Sequence, residues 1–496
     1  MSELAEQADA PSPPAALPPA TLRALPFLVA VAFFMESLDT TILNTAVPTI
    51  SGALGVAPLS MKAVLASYTL SLAVFIPISG WMADRFGTRR VFASAIGLFT
   101  LGSLLCGLCR DVHLLVACRV LQGCGGAMMV PVGRLTIVKS FPKFELIRAM
   151  SFVAIPALVG PMIGPMTGGL IVAYLPWSYI FFVNLPIGIA GLVLVYLWLP
   201  DFRGGARVPL DVEGMILFGA GIALLSYVLE VFGEHELGGR EILGLLAISL
   251  ALLAGYGFHA ARTSFPLLEL SLMRVRTFAT SVVGSFFTRL ATGGVPFLLP
   301  LLYQVGLGFT PIQSGMLILP QALAAMGMKG VMRPILKKLG YRGVLVSNTL
   351  LIGVVICLFA TIGAATPVWV ILLTAFAYGG LTSMQFTCMN TLAFADVADE
   401  HSSNASAVAS TAQQLSLSFG VAAAGLATAV FVPDRLHSSP GEIVEGVHGA
   451  LFVLGGFTIL STVVFSKLRR DDGANETRGP SVAIKAGNVV PPRAQG

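Results

Sequence analysis

Two acidic residues, Glu36 and Asp39, lie three positions apart in a segment that is otherwise almost entirely apolar. At that spacing in a helix, two side chains fall on nearly the same face. A charge inside a bilayer costs about 2.5 to 3.5 kcal/mol on insertion scales, so carboxylates in a spanning segment are candidates for function. Mutual repulsion and loss of water both favour the protonated form of at least one of them. This pair can therefore take up and release protons.

Arg119 lies in another apolar segment of the same half of the chain and is the obvious partner of this pair. If its guanidinium approaches Asp39 in one conformation and withdraws in another, it can control the proton on that carboxyl. We therefore predict that Asp39 is the main proton-exchanging residue, tuned by Arg119, while Glu36 shares this role or recognises substrate. Two plainer interpretations stay open: Asp39 and Arg119 form a structural ion pair, and Glu36 is solvated at a cavity edge.

Other polar side chains in apolar segments are candidates for a substrate cavity. Arg289 lies in the middle of its segment with no acid near it there, so it must face a cavity or an acid of another segment. It would hold an anionic substrate or balance Glu36. The uncharged candidates, each equally able to bridge helices, are Asn44, Gln122, Gln304, Gln385 and Asn390. The six cysteines all lie in apolar segments, so no metal site is predicted, and no cofactor is expected.

The elements that carry these residues are predicted to be membrane-spanning helices. Of the 496 residues, 55% are hydrophobic and 11% are charged, and the mean hydropathy is +0.85. A bilayer core about 30 Å thick requires roughly 20 apolar residues per helix. Fourteen segments of that kind occur, at 25–49, 60–82, 91–109, 112–138, 148–173, 178–199, 212–232, 242–261, 278–305, 312–334, 342–362, 366–394, 405–431 and 447–467.

These segments predict an all-α integral membrane protein whose two ends, 1–24 and 468–496, are disordered because they have no core to build. The start of the chain does not resemble a cleavable signal, so the first span is retained. Most of the 30 basic residues fall on the side of the termini, and four are predicted on the other side: Lys62, Arg110, Arg240 and Arg435. The positive-inside rule then places both termini in the cytoplasm.

A short basic connection between the second and third spans carries one acid among glycines and arginines, namely Gly80, Asp84, Arg85, Gly87, Arg89 and Arg90. Glycines let two helix ends approach closely, and Asp84 can accept hydrogen bonds at a helix N-terminus or pair with the arginines. We expect a gate here. An ordinary positive-inside connection is the plainer interpretation of the arginines. Residues 330–342 faintly repeat the pattern without its acid.

Glycines recur every four residues in the fifth span, at Gly160, Gly164 and Gly168, and therefore line one face that permits close helix contact. Pro161 and Pro165 remove backbone donors and permit a bend. Gly169 follows at the end of this run. The pattern predicts a helix that moves against its neighbours, with static close packing as the plainer alternative.

Four motifs resemble those of the major facilitator superfamily, in the family's order. The connection from Gly80 to Arg90 is similar to the family's loop between helices 2 and 3, and Leu38 to Pro48 resembles the first-helix motif of the fourteen-helix drug:proton antiporters. Arg119 to Ala127 is similar to the fourth-helix motif, and the run ending at Gly169 resembles the antiporter motif of exporters. The closest likeness is to bacterial multidrug resistance exporters.

The resemblance implies two six-helix bundles, at 25–199 and 278–467, which rock around a midplane site, with two extra helices in 200–277. It further implies a monomeric proton-coupled antiporter of the bacterial inner membrane that exports drug-like or toxic small molecules. Its energy source would be the proton gradient. Export of an anionic metabolite or a metal chelate, such as an organic acid, is the alternative, and Arg289 is the feature that favours it.

Other classes of function find little support in the sequence. No G-x-x-x-x-G-K-[ST], H-E-x-x-H or G-x-S-x-G motif occurs, which argues against an ATP-driven pump or a membrane enzyme. Basic residues are spread over the connections rather than gathered in a patch, so a nucleic-acid partner is not expected. The expected partners are a small-molecule substrate, protons and the lipid bilayer.

Overall fold

The computed structural model describes residues 19–141, 143–203, 209–231, 239–398, 401–431, 440–469 and 472. Most of the two ends predicted to be disordered lies outside these residues. The described residues form helices and short connections, without a β-strand. The prediction of an all-α protein is therefore confirmed.

Fifteen α-helices lie in the described part of the chain. They are α1 (Pro19–Ile42), α2 (Val47–Leu54), α3 (Lys62–Phe86), α4 (Thr88–Leu108), α5 (Val112–Ser140), α6 (Lys143–Tyr174), α7 (Tyr179–Phe182), α8 (Asn184–Trp198), α9 (Val212–Val231), α10 (Gly239–Ala260), α11 (Arg276–Pro300), α12 (Pro311–Phe359), α13 (Val368–Phe394), α14 (Ser402–Phe431) and α15 (Pro440–Ser466). Among the described residues, 13 helical segments are long and apolar enough to cross a bilayer. Helix α6, which is 32 residues long, covers the predicted fifth span. Together with the 13 segments it accounts for the fourteen predicted spans.

The first, tenth and eleventh predicted spans differ from the helices that contain them. The first span was expected to be continuous to residue 49, but α1 ends at Ile42 and a 3₁₀ turn, Asn44–Ala46, leads into α2. Pro48 stands in the first turn of α2, where its missing N–H leaves no hydrogen bond unmade. The predicted spans 312–334 and 342–362 both belong to α12, which is broken at Gly340 by a φ of 68°.

Gly87 and Gly340 close corresponding connections in the two halves of the chain. Gly87, between α3 and α4, has a φ of 92°, and Gly340 has a φ of 68°. Side chains with a Cβ atom disfavour such positive φ values, which is why glycine occupies both turns. The faint sequence repeat at 330–342 therefore corresponds to a repeated backbone turn.

The helices pack as two bundles with an additional pair between them. Helices α1 to α8 contact one another, and α11 to α15 form a second group. Helices α9 and α10 pack together, and α9 also contacts α3 of the first bundle and α14 of the second. Phe218 and Ile222 of α9 share an apolar core with Ala73 of α3 and Phe419 of α14. The extra pair therefore covers one seam between the bundles.

The two bundles meet at one end of the molecule, which we call the closed end. There the Gln304 side chain donates a hydrogen bond of 2.7 Å to the carbonyl of Thr45, and the Ser418 hydroxyl donates one of 3.1 Å to the carbonyl of Ala66. The opposite end, which carries the start of α1 and the Gly87 turn, is called the terminal end. A cavity lies between the bundles on that side.

Candidate functional site

Asp39 of α1 is buried in the first bundle, and both of its carboxylate oxygens accept hydrogen bonds. Nη1 of Arg119 lies 2.5 Å from Oδ2, and each of these two side chains is 1% exposed. Oδ1 accepts hydrogen bonds from the amides of Gln122 and Asn184 at 2.8 and 2.9 Å. The Ser103 hydroxyl accepts from the same two amides. The predicted pairing of Asp39 with Arg119 is confirmed, and α1, α4, α5 and α8 meet at this carboxylate.

Arg119 is enclosed by polar and aromatic groups. Its Nη1 also donates to Oε1 of Gln122 at 2.8 Å, and Nε faces the carbonyl of Val64 at 3.5 Å. The guanidinium carbon lies 4.3 Å from the ring centroid of Tyr68 and 5.9 Å from that of Phe181. Removing one charge of a buried pair leaves the other without compensation, so the two charges depend on each other. A proton can neutralise the Asp39 carboxylate in place of the guanidinium.

Glycines on α5 allow the neighbouring helices to come close enough to build this cluster. A Cβ atom on Gly125 would lie 2.6 Å from the backbone nitrogen of Phe99 on α4. A Cβ atom on Gly123 would lie 2.6 Å from Cβ of Ser71 on α3. Both distances are shorter than packed carbon atoms allow. The glycines of the fourth-span motif therefore serve to bring α3 and α4 against α5, around Arg119.

Glu36 faces a central cavity of about 1790 Å³, to which the buried Asp39 does not contribute. Residues i and i+3 of a helix are about 60° apart, and here the cavity wall passes between them. The two carboxylates, predicted to lie on nearly one face of α1, are thus separated by the cavity wall. Glu36 belongs to the cavity, and Asp39 belongs to the interior of the first bundle.

The cavity lies between the bundles and is lined mainly by apolar side chains, among them Phe33, Ile76 and Phe394, with hydroxyl and amide groups between them. Toward the terminal end the lining includes residues of the helix connections, such as Arg203 and Asp211. At the closed end the bundles are in contact. The structure therefore represents a conformation in which the cavity opens at the terminal end.

The uncharged cavity candidates have different locations. Asn390 lines the cavity, as predicted, whereas Gln122 holds Asp39 and Gln304 bridges the bundles at the closed end. Gln385 is fully buried and donates to the Thr349 hydroxyl at 2.7 Å, so it joins α13 to α12. Asn44 lies in the 3₁₀ turn after α1 and is not part of the cavity wall. Sequence cannot tell these cases apart, because an amide suits a helix contact as well as a cavity.

Arg289 of α11 is 4% exposed and does not line the cavity in this conformation. Its Nε donates to the Ser285 hydroxyl at 2.9 Å, and its guanidinium carbon lies 3.9 Å from the ring centroid of Phe386. The described part of the chain places no acid beside it, so the expected balance with Glu36 is not found here. The aromatic ring is its main electrostatic partner.

The connection between α3 and α4 is organised differently from the prediction. Asp84 pairs with Lys139 of α5 at 3.2 Å rather than with the arginines. The acid that contacts the start of α4 is Asp201, which follows α8 in the chain. Its Oδ1 accepts a hydrogen bond from the backbone N–H of Arg89 at 3.3 Å. Nε of Arg89 donates to the carbonyl of Leu199 at 2.5 Å. The connection therefore joins α3 and α4 to α5 and to the end of α8. Gly80, Asp84 and Arg85 also line the cavity near its opening.

The glycine face of α6 packs directly on α1. A Cβ atom would lie 2.8 Å from Cβ of Ser37 at Gly160, 2.2 Å from the Thr41 hydroxyl at Gly164 and 2.2 Å from the carbonyl of Ile42 at Gly168. The predicted close helix contact is confirmed. Gly169 instead meets the second bundle, where its Cβ would lie 2.5 Å from the carbonyl of Pro311. Pro161 lines the cavity, and the carbonyl of Pro165 accepts from the Thr45 hydroxyl at 3.0 Å.

Three residues of the Asp39 cluster are not among the residues predicted from the sequence: Ser103, Asn184 and Tyr68. Asn184 is the only amide side chain in the predicted sixth span, and a lone amide among apolar residues is a signal that could have identified it. Ser103 and Tyr68 carry no such signal, since serine and tyrosine are common in spanning helices.

Metal-binding groups are not gathered anywhere in the described part of the chain, where no three His, Cys, Asp or Glu side chains could hold an ion together. All six cysteines are free thiols. The Sγ atoms of Cys109 and Cys118 lie 3.7 Å apart. The cluster around Asp39 consists of carboxylate, guanidinium, amide, hydroxyl and aromatic groups.

Comparison with known proteins gives relatives over nearly the whole chain. A protein of Serratia proteamaculans named "Putative multidrug resistance protein MdtD" is 39% identical over 451 residues, which cover 91% of this chain and 94% of the relative. A protein of the same name from Shigella flexneri is 42% identical over 449 residues, 90% of this chain and 95% of the relative.

Solved structures share the fold at low sequence identity. A POT family transporter in complex with 5-aminolevulinic acid is 16% identical with a TM-score of 0.66, covering 89% of this chain and 95% of that structure. A D-xylose-proton symporter is 15% identical with a TM-score of 0.64, covering 91% and 99%. The family model of the Major Facilitator Superfamily matches residues 29–421. The chain belongs to the Major Facilitator Superfamily.

Proposed function

We propose that this protein is a proton-coupled antiporter that exports small molecules by alternating access. The observation that carries the proposal is the sealed pair of Asp39 and Arg119, which lies beside a large cavity that opens at one end only. Proton-coupled transport requires a carboxyl whose protonation changes the contacts that hold one conformation. Asp39 has this property, because its charge is the counterpart of a buried guanidinium.

The coupling step follows from the hydrogen bonds of Asp39. Its oxygens accept from Arg119, Gln122 and Asn184, and protonation would weaken these hydrogen bonds because a neutral carboxyl is a poorer acceptor than a carboxylate. Protonation would free Arg119 from α1 and loosen the junction of α1 with α5 and α8. Deprotonation would restore it. Movement of α1 would then be transmitted to α6, which packs on it through Gly160, Gly164 and Gly168.

The cargo that best fits the cavity is amphiphilic, and cationic compounds fit it especially. Apolar side chains line most of the wall, and Glu36 presents a carboxylate to it. Arg134 also lines the cavity. An anionic metabolite or metal chelate is not favoured, because Arg289, the residue that would support it, lies outside the wall. The relatives' name, which refers to multidrug resistance, supports the same class of cargo.

The two bundles, residues 25–199 and 278–467, would be the rocking halves, with 200–277 as an insertion between them. The connection from Gly80 to Arg90 would act as the gate at the terminal end, and the Gly160 to Gly169 face as the joint. With both termini in the cytoplasm of a bacterial cell, the present conformation is inward-open. The protein would work as a monomer without a cofactor and would catalyse no chemical reaction.

Everted membrane vesicles provide the test. Uptake of a lipophilic cation such as tetraphenylphosphonium should require an imposed proton gradient and should stop when an ionophore collapses that gradient. Citrate, used as a representative organic anion, should not be taken up. Vesicles without the protein are the control. Uptake that is independent of the gradient, or uptake of citrate alone, would refute the proposed function.

A further inference from the structure

Tyr68 of α3 is the aromatic residue closest to the guanidinium of Arg119 in the described structure. It is fully buried, and its ring centroid lies 4.3 Å from the guanidinium carbon. Phe99 of α4 supports the ring edge-on, at a centroid distance of 6.3 Å and an angle of 81°. A Cβ atom on Gly126 would lie 2.8 Å from the Tyr68 hydroxyl. The ring is therefore fixed in place by two neighbouring helices.

The protonated state of Asp39 creates an electrostatic problem that this ring can solve. Once Asp39 is neutral, Arg119 remains a buried cation and loses its only carboxylate partner within ion-pair distance in the described structure. Its remaining contacts are the amide oxygen of Gln122, more distantly the carbonyl of Val64, and the rings of Tyr68 and Phe181, of which that of Tyr68 is nearer. A cation placed over an aromatic face is stabilised by the ring quadrupole, and more strongly where water is excluded. The ring contributes more when Asp39 is neutral, because the carboxylate then no longer offsets the field of the guanidinium at the ring.

We propose that Tyr68 is a positioning residue that holds Arg119 in the first bundle while Asp39 is protonated. This inference rests on the proposed proton coupling and assigns the ring, rather than the hydroxyl, as the working group. The hydroxyl has no hydrogen-bond partner among the described residues, which agrees with a role for the ring face. The titratable side chains around Arg119 and Tyr68 are Asp39 and Glu36 on α1, Cys106 on α4 and Tyr68 itself. Helix α8 contributes the uncharged Asn184 to the same cluster.

The test is the pH profile of tetraphenylphosphonium exchange by the purified protein in liposomes. Without the ring, the state with a neutral Asp39 and a cationic Arg119 is less stable, so its formation needs a higher proton concentration. Tyr68→Leu should therefore move the half-maximal pH lower, by about one unit. Tyr68→Phe keeps the ring and should leave the profile unchanged. Phe92→Leu, which alters a buried ring of α4 beside Gly133, is the control for packing and should lower stability without moving the profile.

A trifluorinated phenylalanine at position 68 keeps the shape of the ring but weakens its quadrupole, so it covers the case in which Tyr68→Leu does not fold. The half-maximal pH should then lie between the values for Tyr68→Phe and a variant without the ring. An unchanged pH profile in both the fluorinated variant and Tyr68→Leu would overturn the inference, as would a shifted profile in Tyr68→Phe. If the wild-type protein shows no proton dependence, the proposed function fails instead.

Discussion

Glu36 and Asp39 are three residues apart on α1, yet Glu36 lines the central cavity while Asp39 is sealed against Arg119. One helix therefore presents one carboxylate to the space for cargo and another to the interior of its own bundle. Because α1 carries both, a movement driven by protonation of Asp39 also moves Glu36. Substrate recognition and proton exchange can thus be separated by residue and still be linked mechanically.

Glu36→Gln should weaken the transport of cationic compounds selectively. The substitution keeps the size of the side chain and removes the only charge that it presents to the cavity. Loss of about 1.4 kcal/mol of charge attraction lowers apparent affinity about tenfold. We expect this effect for a lipophilic cation and little change for an uncharged substrate, measured as the concentration for half-maximal efflux. Asn390→Ala, which changes an uncharged cavity residue, should affect both substrates alike. Equal losses for both substrates in Glu36→Gln would contradict a recognition role.

A cysteine in place of Lys62 (Lys62→Cys) reports whether the closed end is shut and on which side of the membrane it lies. Lys62 begins α3 on the predicted outer side and is only 2% exposed. A membrane-impermeant maleimide added to intact cells should label this cysteine much more slowly than Arg110→Cys, because Arg110 is exposed on the same side. Equal labelling rates would mean that the closed end is not the resting state. Labelling from the cytoplasmic face alone would reverse the proposed topology.

Gly315→Val should prevent the bundles from meeting at the closed end. A Cβ atom on Gly315 of α12 would lie 2.6 Å from the carbonyl of Pro165 on α6, and valine adds further bulk. The conformation with an open terminal end is then disfavoured, so the closed end should open more often. Labelling of Lys62→Cys should become several times faster in this background. Gly327→Val, on the same helix with open space around it, is the control. Similar labelling rates in both backgrounds would argue against this contact as a stop.

Asp211→Ala should loosen the extra helices without removing transport. The backbone N–H of Gly214 and Leu267 and the ring of His259 donate to Asp211. Partial burial raises the pKa of Asp211, but these hydrogen bonds together lower it by more than burial raises it. The pKa of Asp211 therefore lies below its usual value. A depressed carboxyl pKa stabilises the fold above the unfolded value of about 4, and this contribution is lost as the pH falls through the folded value.

We therefore expect Asp211→Ala to reduce stability by about 1 to 3 kcal/mol near neutral pH, seen as a lower unfolding temperature of the purified protein. The difference from the wild type should shrink in acid. Glu213→Ala is a matched control, since Glu213 is 74% exposed and lies 3.7 Å from His259. A larger effect of Glu213→Ala would mean that Asp211 does not anchor these helices.

The features that sequence predicts well here are those that depend on local composition. Apolar length gave the spans, and the four-residue glycine repeat gave the face of α6 that packs on α1. Asp39 and Arg119 could be paired because charges in a bilayer need partners. The turn at Gly340 was suggested by a faint repeat of the Gly87 connection.

The features that sequence misses depend on which neighbour a helix face meets. Asn184 reaches Asp39 across 145 positions of the chain, and nothing local announces that contact. Gln385 and Asn390 are close in sequence on α13, but one bridges helices and the other lines the cavity. Likewise, the position of Asp201 at the start of α4 depends on how the end of α8 folds back.

The most direct test of the account is Asp39→Asn, measured as proton-driven efflux and, separately, as equilibrium binding of the same substrate. The amide keeps the shape of the carboxyl but cannot exchange a proton at physiological pH. We predict that substrate binding persists, because Asp39 does not line the cavity, whereas gradient-driven efflux is abolished. Full proton-dependent efflux by Asp39→Asn would contradict the central claim that this carboxyl couples protons to transport.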